Sequence, residues 1–122
     1  METYSRILFH GTKNREGLVR EGFDNAMLLS GRGAMAYGRG FYLTPNKTYA
    51  RRFGEVVLVR VVLHNPYPGK EFFARFGREI IKGQSDKITN TLITEGHDGI
   101  LVQNDIKDMV CVFDAKSLMV VG

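Results

Sequence analysis

Nine residues, Glu55 to Leu63, do most to limit what this chain can fold into. Val56, Val57, Leu58, Val59, Val61, Val62 and Leu63 are interrupted only by Arg60. β-Branched side chains crowd the turns of a helix and suit a pleated, extended backbone, so the run reads as a strand. Its nearly continuous apolarity predicts burial on both faces. A chain of 122 residues is expected to wrap one core around it, as a single domain spanning 1–122.

The flanking sequence supplies short elements that do not alternate strictly. Arg6 to Phe9 reads as a buried strand that ends at His10-Gly11-Thr12. Lys13 to Glu21 reads as a helix with Leu18 and Val19 on its apolar edge and Gly22 placed to stop it. Asp24 to Arg39 reads as loop. Gly40 to Thr44 reads as a second strand, and Pro45-Asn46-Lys47 opens a helix that Gly54 ends. After the central strand, Asn65 to Gly69 reads as a turn. Phe72, Phe73, Phe76 and Ile80 then give helical spacing over Lys70 to Lys82. Ser85 or Asp86 is placed to cap a further helix that buries Ile88 and Leu92 and ends at Gly96. Strands follow at Gly99–Gln103 and Met109–Phe113, joined by a turn at Asn104-Asp105, with a last strand at Leu118–Val121. This order argues against a doubly wound parallel sheet and for an α+β fold.

Composition excludes several classes. Hydrophobic residues are 43% and charged residues 25%, the balance of a globular chain rather than a disordered one. No apolar run approaches the roughly 18 residues of a membrane span, and Glu2 and Arg6 break up the N-terminus as a signal peptide. The expectation is a soluble, cytoplasmic protein with no membrane partner. Cys111, the single cysteine, excludes an internal disulfide and reads as a buried thiol. No Cys/His cluster has zinc spacing, so no metal is expected. Net charge is +4, which suits an anionic ligand or nucleic acid. No stretch interleaves aromatics with dense Lys/Arg, which weighs against a dedicated nucleic-acid-binding domain.

Glycine is the compositional outlier, and four of the 14 fall between Gly31 and Gly40, where backbone must come close to something. Leu8-Phe9-His10-Gly11-Thr12 sets a ring nitrogen and a bare backbone at the mouth of a strand. Tyr37-Gly38-Arg39-Gly40-Phe41-Tyr42-Leu43-Thr44 brackets an arginine with glycines and then turns one aromatic of a pair to each face of a strand. Tyr49 and Phe53 share a helical face. In the late strand, Asp108 and Met109 point to opposite faces. His64, His97, Asp98 and Asp105 sit at strand ends or in turns, where such residues are usually structural.

In this order and spacing, the four motifs resemble the ADP-ribosyltransferase fold of the diphtheria-toxin and poly(ADP-ribose) polymerase type. That family has a His-Gly-Ser/Thr strand end, a Gly-Lys-Gly-Val/Ile-Tyr-Phe-Ala strand, a serine-containing helix and a late strand carrying the third residue of a His-Tyr-Glu triad. The resemblance implies a split antiparallel or mixed β core with short flanking helices. It implies that Gly11 holds the nicotinamide carboxamide of NAD through its backbone, and that His10 bonds the adenosine ribose with Thr12 beside it. It also implies that Tyr42 stacks on the nicotinamide ring, that Phe53 takes the place of a second stacking tyrosine, and that Asp24 to Arg39 covers the donor.

Two positions depart from the pattern. The family's helix serine falls on Ala50, with Thr48 two residues away. The triad glutamate falls on Met109, with Asp108 one residue off and on the other face unless the strand bulges. Relatives with an apolar residue there are linked to transfer of single ADP-ribose units. The expected activity is therefore mono-ADP-ribosylation, with NAD as donor and a protein side chain or nucleic acid as acceptor. An NAD glycohydrolase and a catalytically silent NAD- or ADP-ribose-binding module are the alternatives.

Overall fold

The computed structural model describes residues 3–29, 37–103 and 108–122. Gly31, Gly33 and the Asn104-Asp105 turn lie outside the described residues. The elements are β1 (Tyr4–Thr12), α1 (Arg15–Glu21), a 3₁₀ helix (Asn25–Leu29), β2 (Phe41–Leu43), α2 (Lys47–Ala50) running into a 3₁₀ turn (Arg51–Phe53), β3 (Glu55–Leu63), β4 (Pro66–Pro68), α3 (Gly69–Ile81), α4 (Ser85–Thr94), β5 (Gly99–Gln103), β6 (Asp108–Val112), a 3₁₀ turn (Ala115–Ser117) and β7 (Leu118–Val120). The protein is a small α+β domain built on two sheets and short helices.

The sheets divide the strands between them. One is antiparallel, in the order β1-β3-β7, and the other runs β2-β6-β5-β4 with β4 parallel to β5. β6 lies between two cores. Val110 and Val112 on one face meet Leu8, Val57, Val59, Val61 and Leu63 of the first sheet. Met109 and Cys111 on the other face meet Phe72 and Phe76 of α3 and Ile88 and Leu92 of α4. The result is three layers: sheet, sheet, helices.

This layering corrects the two-face burial expected of β3. Val57, Val59, Val61 and Leu63 are fully buried, but Leu58 is 37% exposed and Arg60 is exposed. The second sheet covers the face of β3 that carries Val57, Val59, Val61 and Leu63. The other face of the three-stranded sheet carries Ile7, Leu58 and Met119 toward solvent.

Local chemistry shifts other boundaries. α1 begins at Arg15 because the Asn14 side chain accepts the Gly17 N–H. It ends at Gly22, which takes the left-handed φ of 77°. Leu18 is buried under it, whereas Val19 is 47% exposed and lies off the apolar edge. The expected turn at Asn65–Gly69 instead holds β4, at the sheet edge where prolines are tolerated. Neither Ser85 nor Asp86 caps α4, since both lie in its first turn and Gln84 precedes them without a capping bond. Part of the expected loop, Asn25–Leu29, is a 3₁₀ helix.

Asp98 has the structural part expected of it. Its carboxylate accepts the N–H groups of His64 (2.7 Å) and Asn65 (3.0 Å), and His97 Nδ1 lies 3.0 Å from the Asn65 carbonyl.

Candidate functional site

Among the described residues, one isolated bridge joins the two sheets. Phe9 of β1 and Thr44, just past β2, exchange backbone hydrogen bonds of 2.8 and 3.0 Å. Thr44 is buried, and its hydroxyl donates to the Asp108 carbonyl at 2.9 Å while accepting the Asn46 N–H. Beyond this bridge lies a cavity of about 1070 Å³. His10, Gly11, Thr12, Tyr42, Phe53 and Met109 all line it, although they span 100 positions of sequence.

The bridge also sets the direction of the Gly11 backbone. Phe9 turns its N–H and C=O to the outer edge of β1, and this direction alternates along an antiparallel strand. Gly11, two residues on, therefore presents its N–H and C=O to the same edge. Its missing Cβ has a separate cause: a Cβ there would lie 2.0 Å from the Ala50 carbonyl oxygen. The glycine lets α2 settle on β1, so the bare Cα serves packing and the backbone edge serves the cavity. Gly54 tightens the same junction, with φ of 134° and a Cβ direction blocked by the Thr12 carbonyl oxygen at 2.3 Å.

His10 Nδ1 lies 2.7 Å from the Tyr42 carbonyl oxygen. A carbonyl only accepts, so Nδ1 carries the hydrogen, and Nε2 of the neutral ring is left as an acceptor. Burial holds the His10 pKa below its ordinary 6.5, against the opposing pull of the Tyr42 carbonyl. Phe23 packs edge-on against His10, with ring centres 5.2 Å apart, and against Phe41 at 5.1 Å. Phe23 is a lining residue that sequence reasoning did not single out, and Met27 and Leu28 line the cavity from the Asp24 to Arg39 segment expected to cover the donor. The available signal was Phe23 directly after the helix-ending Gly22.

The Tyr42 hydroxyl accepts the N–H groups of Tyr37 (3.2 Å) and Gly38 (3.1 Å) and donates to the Gly38 carbonyl. Burial is the main reason its pKa is pushed well above 10, so it is no base. Phe53 is 51% exposed, with its ring 5.4 Å from that of Tyr49. The Thr12 hydroxyl accepts the Asn14 N–H at 3.1 Å. Thr48 is exposed and does not line the cavity, so it does not stand in for the absent helix serine.

Of the two candidates in the late strand, Met109 and not Asp108 faces the cavity. β6 keeps regular register with both neighbours, pairing Val102 with Met109 and Tyr42 with Cys111, so no bulge rotates Asp108 inward. Met109 is buried in the lining, whereas Asp108 is exposed and outside it. The Cys111 thiol, pushed up to about 12 mainly by burial, is inert. Among the described lining residues the only carboxylate is Glu21, which is exposed beside Arg20. Lys13, Arg51 and Arg52 also line the cavity, and none forms an ion pair with a described residue. No group of three or more His, Cys, Asp or Glu suited to a metal occurs among the described residues. Nor is any helix there long and apolar enough to cross a membrane.

No protein-family model matches the chain, and no curated protein matches it. The structure is similar to a crystal structure of an anti-CRISPR protein, covering 96% of each chain with a TM-score of 0.52 and 12% identity. That likeness is one of fold.

Proposed function

We propose that this protein is a mono-ADP-ribosyltransferase that takes NAD as donor. One observation carries the reading: the five residues that the resemblance assigns to NAD, with Met109 at the third triad position, line one cavity at the split between the sheets. Its volume is just above the roughly 300–1,000 Å³ usual for small-molecule sites, which leaves room for a large ligand such as a dinucleotide. The residues present suit that ligand. The Gly11 backbone edge offers a donor and an acceptor to a carboxamide, and the neutral His10 Nε2 accepts a ribose hydroxyl. The anchored ring of Tyr42 offers a face to nicotinamide, with Phe53 as a second aromatic. The cations Lys13, Arg51 and Arg52 suit a diphosphate.

In the reaction, the bond between the nicotinamide nitrogen and the ribose carbon breaks, and its electron pair neutralises the pyridinium. The acceptor's nucleophile then bonds to that carbon and any proton it carries passes to solvent. The chain orients the donor and excludes water from one side of it. With Met109 in place of a carboxylate, that position cannot polarise an acceptor hydroxyl. The acceptor is therefore one already nucleophilic, a carboxylate or a phosphate, on a protein or a nucleic acid. The free thiol of Cys111 fits a cytoplasmic setting.

Met109 and Ala50 also favour a second reading, a silent NAD- or ADP-ribose-binding module. NAD labelled in its adenine ring separates the two when offered with a panel of proteins and 5′-phosphorylated oligonucleotides. The similar fold places CRISPR-associated proteins on that panel. Covalent label on an acceptor, lost with His10→Ala, is the expected result. Tight NAD binding with no covalent label on any acceptor contradicts transfer and favours the silent module.

A further inference from the structure

Thr89 is fully buried, on the face of α4 that also buries Ile88 and Leu92. Valine would fill the same space without a hydroxyl to satisfy, so the hydroxyl needs a reason. A helical threonine commonly bonds back to the carbonyl four residues earlier, as Thr94 does to Asn90 at 2.9 Å. Thr89 instead donates out of the helix to the Arg39 carbonyl at 3.0 Å. The carbonyl it passes over, that of Ser85, accepts the Arg39 N–H at 3.3 Å. The Arg39 guanidinium reaches Asp86 (3.2 Å) and Asn90 (3.3 Å) on the same helix. Gly38 lies so close that a Cβ on it would sit 2.9 Å from the Thr89 hydroxyl.

The residues pinned in this way also hold the Tyr42 hydroxyl, through Gly38 and Tyr37. We propose that Thr89, which does not line the cavity, is a positioning residue that fixes the Tyr42 ring by anchoring the Tyr37–Gly40 turn to α4. Asp86 and Asn90 hold the outer side of the same anchor. The consequence for donor binding rests on the reading of Tyr42 as the ring that stacks on nicotinamide. The anchoring itself does not.

Two readouts test it: NAD turnover by nicotinamide release, and the Tyr42 ring signal in protein carrying ¹³C-tyrosine, assigned with Tyr42→Phe. Thr89→Val is expected to broaden or split that signal. It is expected to raise the KM for NAD about tenfold, the worth of one buried hydrogen bond, with kcat retained. Thr89→Ser should restore both. Asp86→Ala with Asn90→Ala changes only exposed residues and is expected to raise KM about two- to threefold. A merely structural role would instead lower the active fraction, and with it the apparent kcat, at unchanged KM. An unchanged Tyr42 signal in folded Thr89→Val overturns the proposal, as does failure of Thr89→Ser to restore it. If Thr89→Val does not fold, the exposed pair decides by the same signal. If the wild type turns over no NAD, the functional reading fails and the ring signal still decides the anchor.

Discussion

On the proposed function, His10 is the residue on which orientation of the donor would turn. Held by the Tyr42 carbonyl and edged by Phe23, it has one tautomer and one free acceptor nitrogen. His10→Ala should lower kcat/KM for NAD by about a hundredfold, the usual cost of a misplaced reactant, with the fold intact by circular dichroism. Because burial lowers its pKa, the neutral ring persists below pH 6.5, where an exposed histidine would already be charged. Activity should therefore hold through pH 6.5 and fall only at more acidic values, as the buried ring takes up its proton. The sign for stability is the same. Between the folded and unfolded pKa values the unfolded chain binds more protons, so stability drops as pH falls from 6.5 toward the folded value. Urea titrations of wild type and His10→Ala at stepped pH read this directly, and the variant should lack that component.

At the scale of elements, the site depends on how closely α2 lies on β1. A methyl group on Gly11 meets the Ala50 carbonyl, which is backbone and has little room to give. Gly11→Ala should destabilise by about 3 kcal/mol, the upper part of the overpacking range, and weaken NAD binding as α2 lifts. Chemical denaturation with a parallel NAD titration checks both, and a variant as stable as wild type would contradict the close packing. On the other side of β6, Phe72 is fully buried between α3 and the sheet, and Phe72→Ala should cost about 3–5 kcal/mol.

Much of this was legible in residue order. The α+β class, the central strand, the stops at Gly22 and Gly54 and both long helices follow from pattern and turn chemistry. The depth of β3 did not, because whether a second layer covers a strand is a tertiary fact that apolarity alone does not report. β4 was hidden because Pro66 and Pro68 signal a turn as readily as an edge strand. The gathering of His10, Tyr42, Phe53 and Met109 was expected only through resemblance. The choice between Met109 and Asp108 needed the register. Phe23 was missed because a lone aromatic between a helix stop and a loop has no periodicity to read.

For the whole molecule, a net charge of +4 and the cations lining the cavity favour an anionic ligand. Raising salt from 0.1 to 1 M shortens the screening length from about 10 to 3 Å, so the KM for NAD should rise a few-fold. Arg51→Gln with Arg52→Gln should raise KM at low salt and flatten that dependence. The claim that joins all three scales is that the cavity at the split of the sheets cleaves NAD and passes on a single ADP-ribose. The most direct test incubates the purified protein with NAD and reads free nicotinamide and intact mass from the same tube, with a carboxylate- or phosphate-bearing acceptor present. The account predicts nicotinamide release matched by single ADP-ribose increments on the protein or acceptor, both lost in His10→Ala. Release with no added mass anywhere would make the protein a glycohydrolase, and the absence of both products would contradict the account.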